Sequence, residues 1–334
     1  MSIQNVAARA GVSVATVSRA FNFPDKVTPA TRELVERVAR ELGYVPNASA
    51  RTLRTQRSRV LGVVLPTLLN PSFAECLQGV AAAAAAAGYS IIPITSGYRL
   101  EEEERAVNLL LAGNVDGLIL VVSNPSTSAT LDRLRQTGVP YVLAYNRHPE
   151  HPCVSVDSEG AVADVVARLV LLGHRRIAMV SGTLSASDRA QQRYRGFLRG
   201  MAAAGLAPPP LIGGSFMETP VDAIARRLAD DDRPSALVCS NDLLAIRSIR
   251  AAHLSGLPVP AAMSVVGFDG IALGEDLTPA LSTVAQPSSD IGRRSVELVV
   301  QAPAAGTALR PDASVLLPHL FRTGESCANA PGFA

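Results

Sequence analysis

Val6-Ala7-Ala8-Arg9-Ala10-Gly11-Val12-Ser13-Val14-Ala15-Thr16-Val17-Ser18-Arg19 is the stretch on which the fold of the N-terminal region turns. Its pattern is that of two short amphipathic helices flanking one glycine. Ala7 is small enough to let a second helix cross closely over the first, and Gly11 tolerates the positive φ of a sharp turn. Val17 faces back between the helices. Ser13 is placed to cap the second helix, which leaves Val14, Ala15, Ser18 and Arg19 pointing away from the core. That outward face has the size and chemistry of a reader of the DNA major groove.

The flanking residues complete a small module. Ser2 is placed to cap a first helix over residues 3–10, and the second is expected over 14–21. Thr28-Pro29 reads as a cap followed by proline at the first helical position. The third helix carries Leu34, Val35, Val38, Ala39 and Leu42 at helical spacing and stops at Gly43. Three such helices share one core. After Tyr44-Val45-Pro46, residues 47–53 form a short helical candidate followed by Arg54, Arg57 and Arg59. A helix so short depends on a partner for its order. Residues 1–59 hold ten Lys and Arg against four Asp and Glu, a balance of +6 that leaves −4 for the remainder. A basic head on a mildly acidic body is the electrostatic pattern of a nucleic-acid-binding module on a core that does not bind nucleic acid.

From residue 60 the pattern changes to alternating strands and helices. Strands are expected at 60–65, 89–94, 117–122, 140–144, 176–180, 235–239, 264–268, 281–285 and 314–317. Helices are expected at 73–87, 101–112, 128–137, 160–172, 188–204, 221–228, 241–255 and 288–300. Repeated βα units specify parallel sheets with helices on both faces, and this count suffices for two lobes. Ligands of such sheets sit at the carboxyl ends of the strands.

Composition and motifs exclude several classes. With 334 residues, 48% hydrophobic and 18% charged, the chain is globular and larger than one small domain. No apolar run approaches the ~20 residues of a membrane span. Met1-Ser2-Ile3-Gln4-Asn5 lacks a basic region leading into an apolar stretch, so no secretory signal is expected. Cys76, Cys153, Cys239 and Cys327 form no C-x-x-C pair, which fits a reducing cytoplasm and argues against disulfides or structural zinc. No G-x-G-x-x-G follows residues 60–65, and P-loop, G-x-S-x-G and H-E-x-x-H motifs are lacking. His148 and His151 have no third metal ligand nearby in the sequence. Neither enzymatic activity nor a cofactor is expected.

Several segments resemble the LacI/GalR family of transcriptional regulators. They are residues 5–22 of the head, Leu42-Gly43-Tyr44-Val45-Pro46-Asn47, and Ala50-Arg51-Thr52-Leu53-Arg54. In the body they are Asn70-Pro71-Ser72-Phe73-Ala74-Glu75, Val115-Asp116-Gly117-Leu118-Ile119, Leu172-Gly173-His174-Arg175-Arg176-Ile177, Ser240-Asn241-Asp242 and Val265-Val266-Gly267-Phe268-Asp269. The resemblance covers nearly the whole chain. It implies an all-α three-helix helix-turn-helix head (1–46) and a hinge helix with linker (47–59). These are joined to an α/β two-lobed, periplasmic-binding-protein-like core (60–322), followed by a tail (323–334). The N-lobe is expected at about 60–157 plus 287–317, and the C-lobe at about 158–286 plus the C-terminal strand.

The resemblance further implies a homodimer on a pseudo-palindromic DNA operator, acting as a repressor ahead of an activator or dual regulator. A small-molecule effector between the lobes would change the DNA affinity. The tail carries no leucine heptads, so a dimer is expected rather than a tetramer. A sugar-binding protein without a DNA role and a dinucleotide-dependent enzyme are the remoter alternatives.

On the DNA side, Val14 and Ala15 can touch thymine methyl groups but cannot make bidentate base hydrogen bonds. Arg19 can bond guanine O6 and N7, while Ser13, Thr16, Ser18 and Asn22 suit phosphates. By resemblance Asn47 caps the hinge helix, Ala50 lets two hinge helices pack closely, and Leu53 wedges into the minor groove at the operator centre. On the effector side the resemblance points to Ser72, Phe73, Asn146, Arg193, Phe216, Asn241 and Asp269. Aromatic faces would cover the apolar face of a sugar, sugar acid or sugar phosphate while Asp, Arg and Asn hold its polar groups. Arg189, one turn before Arg193, either joins it against an anion or pairs with Asp188 or faces solvent. Asp242 reads as a helix cap. Ser288 stands where several relatives carry an aromatic residue, which points to a larger or more polar effector.

Overall fold

The computed structural model describes residues 1–44, 57–214, 221–302 and 309–332. The chain divides into two compact units, Met1–Arg59 and Val60–Ala334. In the first, α1 (Ile3–Ala10), α2 (Val14–Asn22) and α3 (Pro29–Glu41) begin where the sequence places their caps. The side chain of Ser2 accepts from the Asn5 amide, Ser13 from Thr16 and Thr28 from Thr31. Gly11 closes α1 at φ 65°, a conformation that costs a residue without Cβ nothing. Val6, Val17 and Val35 are fully buried and, with Ala7, Ala20, Val38 and Ala39, make the core that holds three individually marginal helices.

The second unit contains two six-stranded sheets. The first is ordered β11 (Val315–Leu317), β5 (Cys153–Val156), β4 (Tyr141–Ala144), β3 (Gly117–Leu120), β1 (Val60–Leu65) and β2 (Ser90–Thr95), parallel throughout. The second is ordered β12 (Leu320–Arg322), β10 (Ser282–Ala285), β9 (Ser264–Asp269), β8 (Ala236–Cys239), β6 (Ile177–Gly182) and β7 (Ile212–Gly214), with only β12 antiparallel. The first lobe carries α4 (Pro71–Ala86), α5 (Leu100–Ala112), α6 (Ala129–Thr137) and α11 (Ser288–Gln301). The second carries α7 (Ser158–Leu171), α8 (Asp188–Ala203), α9 (Val221–Leu228) and α10 (Asp242–Leu254).

Both sheets are buried on two faces, which is why their strands read as continuous apolar runs. In the first, Val63, Ile119 and Val142 face one core while Val64, Leu118 and Leu143 face the other. In the second, Met179, Val238 and Val266 oppose Val180, Leu237 and Val265. Each lobe also has one helix pair in contact close enough to demand glycine. A Cβ on Gly79 of α4 would lie 2.1 Å from the Ser289 carbonyl oxygen, and one on Gly196 of α8 2.2 Å from that of Glu159.

The chain passes between the lobes three times: after β5, between β10 and α11, and between β11 and β12. Strands β5 and β7 carry no expectation from the sequence. Strand β5 pairs with β4 and β11, and β7 lies at the edge of its sheet on β6 alone. Asn47, Ala50, Leu53 and Phe216 lie outside the described residues.

Candidate functional site

The head presents its polar residues on one side of α2. Ser13, Val14, Ala15 and Arg19 are exposed, whereas Thr16, Ser18 and Asn22 are half-buried. The hydroxyls of Ser13 and Thr16 bond each other at 2.9 Å while Ser13 also caps the helix. The Asn22 side-chain amide donates to the Ser18 carbonyl at 2.8 Å, back into its own helix. Arg19 thus projects from a short rigid rod whose neighbouring polar groups are already locally ordered.

In the core a cavity of about 230 Å³ opens between the two lobes. Its first-lobe wall comes from the loops after β1, β2 and β4. Asn70 caps α4 by accepting from the Ser72 amide at 3.1 Å, and Pro71 occupies the first helical position, where no donor is needed. Phe73 meets Tyr145 edge to face, with ring centroids 5.4 Å apart. Tyr145 donates to the Ser72 carbonyl at 2.9 Å, and the Ser72 and Ser288 hydroxyls are 2.9 Å apart. Ser288 is buried behind Ser72 and does not line the cavity.

The second-lobe wall carries the charges. Arg193 of α8 donates to the Ser240 carbonyl, lies 3.5 Å from Asp269, and stacks 3.7 Å above the Phe268 ring centroid. Asp269 accepts from Asn70 of the other lobe at 2.9 Å and from Gln286 at 2.8 Å. Burial raises the Asp269 pKa and lowers that of Arg193, each group stabilising the charged form of the other.

Arg189 settles between its alternatives: it donates to the Val122 carbonyl at 2.8 Å and to Asp188 at 3.1 Å, so its charge is already balanced. It lines the cavity, and its Nη2, like Arg193 Nε, has no hydrogen-bond partner among the described residues.

Four inter-lobe hydrogen bonds thus stand around the cavity: Asn70 to Asp269, Asn146 to Asp188 at 2.6 Å, Arg189 to the Val122 carbonyl, and the Asp188 amide to the Ser123 carbonyl at 2.7 Å. Asn146 is fully buried, also spans both groups of Val122, and does not line the cavity. Ser72, Phe73, Arg189, Arg193, Asn241 and Asp269 do line it. Asn70, Tyr98, Tyr145, Ser240 and Gln286 also line it but were not singled out from the sequence. Asn70 had a signal, since an Asn-Pro pair before an apolar helix is a cap; Tyr98 and Gln286 sit in loops whose sequence gave none.

Asp242 is not the cap of α10. That role belongs to Asn241, which accepts from the Leu244 amide at 2.8 Å. Among the described residues no cluster of three or more His, Cys, Asp or Glu could hold a metal. His151 is instead buried 2.7 Å from the Tyr141 hydroxyl, with its pKa lowered to about 4 by that burial.

Comparison with known proteins matches this arrangement. A family model for bacterial regulatory proteins of the lacI family covers residues 2–47, and one for a periplasmic binding protein-like domain covers 166–327. The transcriptional repressor CytR of Escherichia coli strain K12 is 33% identical over 90% of this chain and 89% of its own. The chain belongs to the LacI family. The solved lac repressor dimer bound to operator and an anti-inducer superposes with a TM-score of 0.86 at 28% identity, over 98% of this chain and 99% of that one. A complex of the transcriptional regulator CelR with cellobiose gives 0.69 at 29% identity, over 98% and 99%. This LacI-family protein is a DNA-binding transcriptional regulator with an effector-type core, and not an enzyme. Among its described residues no helix is long and apolar enough to cross a membrane.

Proposed function

We propose that this regulator is a cytoplasmic repressor that binds a pseudo-palindromic operator as a homodimer and whose DNA affinity is set by a small polyhydroxylated effector in the interlobe cavity. The observation that carries this reading is the cavity itself. Groups of both lobes meet around it, and the Arg189 and Arg193 side chains line it together with Phe73 and Asp269. A sugar, sugar acid or sugar phosphate supplies acceptors for the arginine side and an apolar ring face for the aromatic side. The complexes named for the lac repressor and for CelR support such a ligand.

In this reading the head is 1–46, the hinge helix and linker 47–59, and the core 60–322. The α2 residues Ser13, Val14, Ala15, Thr16, Ser18, Arg19 and Asn22 meet the major groove, and Asn47, Ala50 and Leu53 serve the hinge. Ligand binding changes the lobe angle across the three crossings, and the hinge helices order or melt with a coupling energy of ~1–3 kcal/mol.

The test is a gel-shift titration on the promoter region upstream of the protein's own gene, paired with a thermal-shift screen of sugars and sugar acids. Deleting residues 1–59 should abolish the shift and keep the ligand response. Leu53→Ala should weaken the shift strongly and leave core melting unchanged. Retained DNA binding by the truncated protein sinks the assignment of the head, and a screen without any stabilising ligand sinks that of the cavity.

A further inference from the structure

The Asp242 carboxylate is fully buried and yet faces no ligand-lining space, because the protein fills its surroundings with donors. One oxygen accepts from the amides of Gly270 and Ile271 at 2.7 and 2.8 Å, and the other from the Thr283 hydroxyl of β10. The contact is built into the sheet below. A Cβ on Gly267 of β9 would lie 2.1 Å from the same carboxylate, so only glycine leaves it room.

The clamped residues follow Asp269 directly. Asp269 has φ 122°, a conformation that strains any side-chain-bearing residue, and Gly270 follows at φ 77°. Left alone, a non-glycine residue would relax from that conformation, and its carboxylate would swing away. The two amide bonds at 270 and 271 fix the chain just beyond the strain, and β9–β10 pairing fixes it just before. Asp269 is therefore held with one oxygen on Asn70 of the opposite lobe. Asn70 in turn uses its carbonyl to accept from the Ser72 amide, at the start of α4.

We propose that Asp242 is a positioning residue for the interlobe site. Through the strained 269–271 turn it aims Asp269 at Asn70 and so sets the registry of the two lobes, without touching the effector. The proposal rests on the reading of the cavity as an effector site only for its consequence. The clamp itself can be tested with no ligand.

The experiment is residue-resolved hydrogen exchange of the full-length protein, comparing wild type with Asp242→Ala, Asp242→Asn and Thr283→Val. In Asp242→Ala the amides of Gly270 and Ile271 should exchange at least about tenfold faster, as expected when a bond to a buried carboxylate is lost. The Ser72 amide, in the other lobe, should follow. The amides of β3, in that same lobe, should not change.

Asp242→Asn should restore protection. Its carbonyl can take both amides while its NH2 group donates to Thr283, whose hydroxyl also accepts. Thr283→Val, which removes only one partner, should give a smaller change with the same pattern. Ser72 exchange unaffected by Asp242→Ala, or equal acceleration of β3 and the turn, overturns the proposal. So does failure of the Asn variant to restore protection. If Asp242→Ala does not fold, the Thr283→Val and Asn patterns decide in the same way. A protein in which these patterns hold but no sugar binds would keep the clamp and discard the effector reading.

Discussion

On α2 of the head, Val14, Ala15 and Arg19 stand in solvent, and the groups beside them are satisfied within four residues of chain: Ser13 by Thr16, Asn22 by Ser18. Around the interlobe cavity, Arg189, Arg193 and Asp269 are 4, 6 and 4% exposed, and apart from Asp188 beside Arg189 their partners come from distant residues, 70, 122, 240 and 286 among them. The head therefore offers its chemistry outward at little energetic cost. The core buries charge and must neutralise it internally before a ligand arrives. A substitution on α2 should change what the protein recognises and little else, whereas one in the cavity should change recognition and stability together.

Arg193→Ala is the largest expected break of that contrast. It leaves Asp269 buried without its cation and empties the face of Phe268. Core stability should fall by about 3 kcal/mol or more in chemical denaturation, and any ligand-induced thermal shift should vanish. A variant that melts like wild type would show that the buried pair is not the organising element of the site.

Arg19→Ala comes next. It should weaken operator binding by about 1–3 kcal/mol, roughly ten- to a hundredfold, in a gel-shift titration at fixed salt. Core melting should stay unchanged. Equal weakening on operator and random duplex would reassign Arg19 to phosphate contact.

The third prediction uses pH. Burial, with the nearby Asp269 charge, raises the Asp242 pKa to about 7 from the ordinary carboxylate range. Arg193 of α8, Asp269 of β9 and Cys239 of β8 are the titratable groups in its field. A raised carboxyl pKa means stability that is fully present below about pH 4 and lost as pH rises through 7. Asp242→Asn carries no such loss. Its stability relative to wild type should therefore improve by about 1 kcal/mol or more between pH 5 and pH 8, read as thermal melting of the core. A difference independent of pH would show that Asp242 is ionised at no cost.

Smallest is Ser13→Ala, which removes a helix cap worth ~1 kcal/mol. It should accelerate amide exchange in α2 alone, with the core unaffected.

The two regions also differ in how far they could be read from the chain. The three α-helices of the head were legible because their signals are local: caps at Ser2, Ser13 and Thr28, a turn at Gly11, apolar spacing along α3; the 3-10 turn Pro24–Lys26 was not. Most core strands were legible from apolar runs, and parallel sheets followed from their alternation with helices. Strands β5 and β7 were not: Cys153-Val154-Ser155-Val156 is interrupted by a serine, and Ile212-Gly213-Gly214 has one strand-forming side chain, so neither reads as an apolar run. In the cavity, residue types such as Arg193 and Asp269 stood out. Their partners did not: Asn146 turned out to be consumed between Val122 and Asp188, Ser288 to sit behind Ser72, and Asp242 to serve the 269–271 turn instead of its own helix.

What the sequence by itself determined is the kind of protein: a basic three-helix module ahead of two α/β lobes, with a reading face on α2. These features depend on periodicity, capping and charge within a few residues of one another. What only the tertiary structure decided is which charges neutralise which, how large the cavity is, and which buried group holds the strained turn at Asp269. Those outcomes require residues tens to hundreds of positions apart to meet, and a buried polar atom's role is set by whichever partner reaches it in the folded chain.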